Sequence, residues 1–166
     1  MNCNKPIYNP NIWNNISNDD NNITNCYSYS MNRIEQSRKK KLQPGELSTG
    51  QYINYNCNEI SKKLITDFIG IKKSNKYEHV PCGYYKIALV LDNTDSKDYH
   101  FYRQDMNGLW SHKLGDNLVS NLDASGNLLY DIESNDHNYD KINNDIYNYD
   151  IICGYFLVPY KDITYY

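Results

Sequence analysis

The sequence predicts an α+β fold, with N-terminal helices packed on a central antiparallel β-sheet. Three observations predict it. Apolar residues recur at helical spacing in the first half, two nearly continuous runs of strand formers occupy 83–91 and 151–158, and Asp98–Gly115 has the pattern of a β-hairpin. The 166 residues suffice for one cored domain. The expected organisation is an Asn-rich arm over 1–24 followed by a single domain over 25–166.

The arm is polar, broken by Pro6 and Pro10, and anchored by Ile12 and Trp13, with a loop over its Asn/Asp stretch 17–22. Asn25 is a candidate N-cap. Tyr27, Met31 and Ile34 then follow at i, i+4 and i+7 on one helical face, so Cys26 falls in a first turn. The expected helix runs out through Arg38-Lys39-Lys40-Lys41, cations suited to a helix C-terminus, before Pro44-Gly45 turns the chain. Residues 46–58 read as irregular. Ile60, Leu64, Ile65 and Phe68 mark a second amphipathic helix over 59–71.

The run 83–91 reads as a central strand, and 118–123 as a short one ended by the turn 124–127. Residues 131–150 hold six acidic residues against one Lys and leave helix or loop open. The run 151–158 is a last buried strand, closed by Pro159. Cys82-Gly83-Tyr84 and Cys153-Gly154-Tyr155 are alike, and both glycines are expected to let strands approach closely.

Composition narrows the function classes. A net charge of −3 gives no general basis for nucleic-acid binding. No run has signal-peptide character and none reaches membrane-span length, so a soluble, intracellular protein is expected, without a membrane span. Five cysteines, an odd number at irregular spacing with no Cys-x-x-Cys pair, argue against a disulfide framework and a zinc ribbon, and for a reducing compartment.

One constellation can carry chemistry. A thiol reacts as thiolate, and N–H groups at a helix start favour that anion and an oxyanion formed after attack; Cys26 has that placement. His100 and His112 lie on the hairpin, and their relation depends on its loop. A two-residue turn at Asn107-Gly108 would pair Arg103 with His112 and set the histidines on opposite faces. A three-residue loop Met106-Asn107-Gly108, with Gly108 left-handed, would pair Tyr102 with His112. His100, Tyr102, Gln104, Trp110 and His112 would then share a face, with Ser111 and Lys113 turned away. In that register His100 is the base for Cys26, and His112 orients it. Tyr27, Tyr102, Gln104 and Trp110 are the candidate substrate-binding residues. His79 and His137 fall in polar loops and receive no role.

A helix-leading Cys, a strand His and a second His twelve residues on resemble the NlpC-type branch of the papain-like superfamily. The blocks 25–32 and 99–115 are also similar to a little-characterised set of bacterial and large-virus proteins. The resemblance implies a papain-like fold, a Cys-His-His triad, and a thiol hydrolase acting on peptide, isopeptide or lipid-ester bonds through an acyl-enzyme, without a cofactor. The sequence departs from the Asp-Cys-Ser-Gly of such peptidases, having Asn25-Cys26-Tyr27-Ser28. The rival reading is a non-catalytic binding module presenting the face around Tyr102 and Trp110. A metal site of Cys26, His100 and His112 is the weakest alternative.

Overall fold

The computed structural model describes residues 3–16, 23–34, 40–50, 54–94, 97–139 and 147–161. The expected loop 17–22 and the expected helix tail at Arg38-Lys39 lie outside these. Three helices, α1 (Pro10–Ile16), α2 (Cys26–Ser30) and α3 (Cys57–Asp67), precede six strands. These are β1 (Lys72–Ser74), β2 (Tyr84–Leu91), β3 (Tyr99–Gln104), β4 (Trp110–Lys113), β5 (Val119–Ser120) and β6 (Ile151–Pro159). They form one sheet in the order β1-β6-β2-β3-β4-β5, every neighbouring pair antiparallel. The α+β class follows directly: helices first, then a sheet of local hairpins that β6 re-enters between β1 and β2.

Strand alternation divides the core. Tyr85, Ile87, Leu89, Tyr99, Phe101, Phe156 and Val158 point to one face, where they meet Cys26, Tyr27 and Met31 and the α3 residues Ile60 and Leu64. Ala88, Val90, Tyr102, Trp110 and Tyr155 point to the other, covered by Leu129, Ile132, Tyr139 and Tyr149 from irregular chain. The acidic segment is therefore lid rather than helix over its described part. Its carboxylates are used in turns: Asp131 accepts from the Glu133 N–H and from Ser134 Oγ, and Asp136 from the Asn138 N–H.

Several expectations are corrected. Residues 10–16 form a helix rather than extended chain, with Trp13 seated against Tyr29 at 4.8 Å between ring centroids. The helix at Cys26 ends at Ser30 instead of running to Lys41. Asn32 takes a left-handed backbone (φ 54°), and its Oδ1 accepts from Arg103 Nη1, so the chain turns there to meet the hairpin. The second helix starts two residues earlier and ends four earlier than its apolar spacing indicates, with Asn56 as N-cap. An added Cβ at Gly83 or Gly154 would meet nothing within 4 Å; both glycines supply positive φ instead, Gly154 beside the bulge in the β2–β6 pairing.

The largest correction concerns the cysteines. Cys3 is disulfide-bonded to Cys82 and Cys57 to Cys153, across 79 and 96 residues of sequence, leaving Cys26 as the free thiol. Irregular spacing hides this because bridges join positions that only the fold brings within reach, here Cα atoms 4.7 and 5.1 Å apart. The second bridge fastens the start of α3 to β6. None of the described helices is long and apolar enough to cross a membrane.

Candidate functional site

The hairpin takes the three-residue register. Arg103 pairs with Ser111 and Gln104 with Trp110, and the Asp105 N–H donates to Leu109 O at 2.9 Å. Gly108 has φ 83°, which a residue with a side chain would adopt only under strain. His100 and His112 therefore lie on one face as diagonal neighbours, with His100 Nε2 2.9 Å from His112 Nδ1. Ser111 points the other way, its Oγ 2.7 Å from Tyr29 OH.

The proton positions follow from the acceptors. His112 Nε2 lies 3.1 Å from Leu122 O, which can only accept, so Nε2 carries the proton and Nδ1 accepts from His100 Nε2–H. His100 Nδ1 is then the nitrogen left basic. Burial, and then the charge of His112, hold the His100 pKa well below the ordinary value. Burial lowers His112 to about 4, against a smaller upward pull from the Leu122 carbonyl. Both rings are neutral at pH 7. The Tyr149 ring stacks on His100 at 5.1 Å between centroids and 29° between planes, fixing the imidazole from the side away from the sheet.

Cys26 is placed by the cap of α2. Asn25 Oδ1 accepts from the Ser28 N–H and Ser28 Oγ accepts from the Asn25 N–H, both at 3.0 Å, while Asn25 Nδ2 donates to Leu42 O at 2.8 Å. With five residues α2 has little macrodipole, so individual N–H groups matter more than the helix as a whole. Those of Phe101 and Tyr27 act on the sulfur and pull its pKa down, as does the Lys113 charge. Burial and the Asp98 charge outweigh them and push the thiol up to about 12. The resting site thus pairs a neutral thiol with a neutral imidazole.

Cys26 and His100 line one open cleft of about 520 Å³ from opposite sides of the sheet: Cys26 packs with Tyr99 and Phe101 on the helix-covered face, whereas His100 points with Tyr102 to the loop-covered one. Among the described residues no hydrogen bond joins them. Asp98, Tyr99, Tyr149 and Tyr55 form much of the remaining wall, and Lys41, bonded to Asp116 at 2.8 Å, closes part of the rim.

The four residues expected to hold substrate lie elsewhere. Tyr27 is buried in the helix-side core with its OH donating to Asp67 Oδ2 at 2.9 Å. Tyr102 and Trp110 are buried on the opposite face, the former bonded to His137 and the latter packed on Tyr155. Gln104 donates to Gly108 O at the far end of the hairpin. Sharing a face with His112 does not bring a side chain to the cleft, which opens at the other end of β3.

His137 is the residue that sequence reasoning missed. It is buried, its Nε2–H donating to Ile132 O at 2.6 Å, its Nδ1 2.7 Å from Tyr102 OH. Tyr102 OH is also 3.3 Å from Tyr139 OH, so a second imidazole–phenol chain stands beside the histidine pair. No signal in a polar Asn/Asp-rich stretch marks such a residue. Arg103, which the sequence marks only as a register position, is fully buried, bonded to Asp105 at 2.8 Å and to Tyr29 OH at 2.9 Å, and it ties α2 to the hairpin.

No family model and no solved structure matches the chain. Among curated proteins it is similar to Insoluble matrix shell protein 1 of Ruditapes philippinarum, 35% identical over 108 residues. The match covers 64% of this chain and 66% of that protein, so the chain spans just under two thirds of the length of the relative it resembles.

Proposed function

We propose that the protein is a papain-like cysteine hydrolase, peptidase- or amidase-like, acting through Cys26 and an acyl-enzyme. The observation that carries this reading is one cleft lined by Cys26 and by a His100 whose Nε2 is committed to His112, leaving Nδ1 to take a proton. Because thiol and imidazole rest neutral, proton transfer accompanies attack rather than preceding it. As Sγ bonds to the carbonyl carbon, its proton passes to His100 Nδ1. The tetrahedral oxyanion collapses when His100 returns that proton to the leaving amine or alkoxide. Water, deprotonated by the same nitrogen, then releases the acyl group. His112 holds the ring and shares the transient charge. Peptide, isopeptide and lipid-ester carbonyls are the substrate classes this chemistry serves.

The test uses Cys26 as the only free thiol among the five cysteines. Chloroacetamide should label Cys26 at neutral pH at least about tenfold faster than it labels a His100→Ala variant of equal stability. Equal rates would remove His100 from any role as base.

A second reading is favoured by two observations, the raised thiol pKa and the likeness to a protein named as an insoluble shell-matrix component. On that reading the chain is a non-catalytic module of an extracellular matrix, and the buried imidazole–phenol chains are structural. Two disulfides fit an oxidising compartment better than the intracellular setting first expected. Slow labelling of Cys26, unchanged in the His100→Ala variant, favours this module.

A further inference from the structure

Asp98 stands in the cleft wall with Cys26, and its surroundings are unusual for a carboxylate. It is half-buried, and burial raises its pKa above the usual carboxylate value, although Tyr149 OH, donating to its Oδ2 at 2.6 Å, and the Tyr99 N–H stabilise its charge. Yet among the described residues no Lys, Arg or His forms an ion pair with it. The cationic residues of the cleft are otherwise disposed. Lys41 is ion-paired with Asp116 and acts on Asp98 through its charge alone, and Lys97 is exposed at the rim without a bond to Asp98. Lys113 donates to the carbonyls of Gly115 and Asn117. A half-buried carboxylate retaining acceptor capacity, open to a cavity and without an ion pair among the described residues, is costly unless something else supplies the charge.

We propose that Asp98 is a specificity determinant that binds a cationic group of the substrate, a primary ammonium or guanidinium, next to the carbonyl attacked by Cys26. The inference rests on the cleft serving Cys26 chemistry, as in the reading above. Docking such a cation does two things. It satisfies the free acceptor sites of Asp98, and it cancels the negative charge that opposes thiolate formation. The correct substrate thereby helps activate its own nucleophile, while a neutral or anionic ligand leaves Cys26 quiescent. Tyr149 couples the two sides, because the phenol that donates to Asp98 belongs to the ring stacked on His100.

The experiment needs no substrate. Three methanethiosulfonate reagents differing in charge, aminoethyl, methyl and sulfonatoethyl, are reacted with the oxidised full chain. Each rate is divided by that reagent's rate with free cysteine. The aminoethyl reagent should modify Cys26 about tenfold faster than the methyl reagent after this correction, and the sulfonatoethyl reagent slower. Asp98→Asn should bring the three normalised rates together, whereas Tyr149→Phe, which keeps the carboxylate, should preserve their order. Should Asp98→Asn fail to fold, protection of the wild type serves instead: ethylammonium, but not acetate, should slow modification by the neutral reagent.

Equal normalised rates in the wild type, a charge order surviving in Asp98→Asn, protection by neither ion, or a Cys26 that no reagent reaches would each overturn the proposal. The charge order is measured independently of His100. If it persists in His100→Ala while labelling speed is unchanged there, the hydrolase reading fails and the cation site stands.

Discussion

The two faces of the sheet are built by different means. The helix-covered face is filled mainly by apolar volume, with Ile60 and Leu64 of α3 meeting Ile87, Leu89 and Phe101, and one buried ion pair, Arg103–Asp105, towards the hairpin loop. The loop-covered face carries three buried histidines, His100, His112 and His137, held by Tyr102, Tyr139 and main-chain carbonyls. Dispersion and water exclusion tolerate imperfect shape, but a buried imidazole without its partner keeps the full cost of desolvation. The first face is thus a scaffold that accepts substitution by volume. The second accepts little besides its own hydrogen-bonding pattern.

Breaking what fastens both faces should have the largest effect. On the chain-entropy account, reducing the Cys57–Cys153 and Cys3–Cys82 bridges removes about 4.5 kcal/mol each, seen as a large fall in Tm with dithiothreitol. Leu64→Ala should cost about 2–5 kcal/mol in urea unfolding while leaving the relative chloroacetamide reactivity of Cys26 unchanged.

Acid should act on the loop face through His112. His112 has a folded pKa of about 4, below its unfolded value near 6.5. Between these the unfolded chain binds more protons, so stability is full above about pH 6.5 and falls as pH drops towards 4, by about 3 kcal/mol. Unfolding titrations at several pH values check this, and the slope should shrink in His112→Asn. Tyr102→Phe is the mildest change. It keeps the ring but leaves His137 Nδ1 unsatisfied, for about 1–2 kcal/mol, and a loss no larger than that of an exposed Tyr→Phe would show the chain to be dispensable.

The same division explains what could be read in advance. The helix face announces itself through period: Ile60 and Leu64, the run 83–91 and the Asn25 cap are local signals. The hairpin was readable to within two registers, because Asn107-Gly108 permits both loop lengths and only three-dimensional pairing selects one. The loop face was largely illegible. His137 comes to Tyr102 from irregular chain 35 residues away, and Asp98 acquires its position from a stacked tyrosine far along the sequence. Pairing of the four bridged cysteines is equally silent, since spacing does not encode which loops close. The expected binding residues failed on a related point: parity names a face but not an end of the strand.

The segment 3–16 has a consequence for how the chain is made. Cys3 bonds to Cys82, Pro6 O accepts from the Met106 N–H at 2.8 Å, and Asn14 accepts from the Val119 N–H at 3.0 Å. Every one of these partners is synthesised some 80 to 105 residues later. Those attachments are long-range, and pairings of this kind form slowly. Closing the Cys3–Cys82 bridge therefore fixes an arm that also reaches the hairpin through Pro6 and β5 through Asn14.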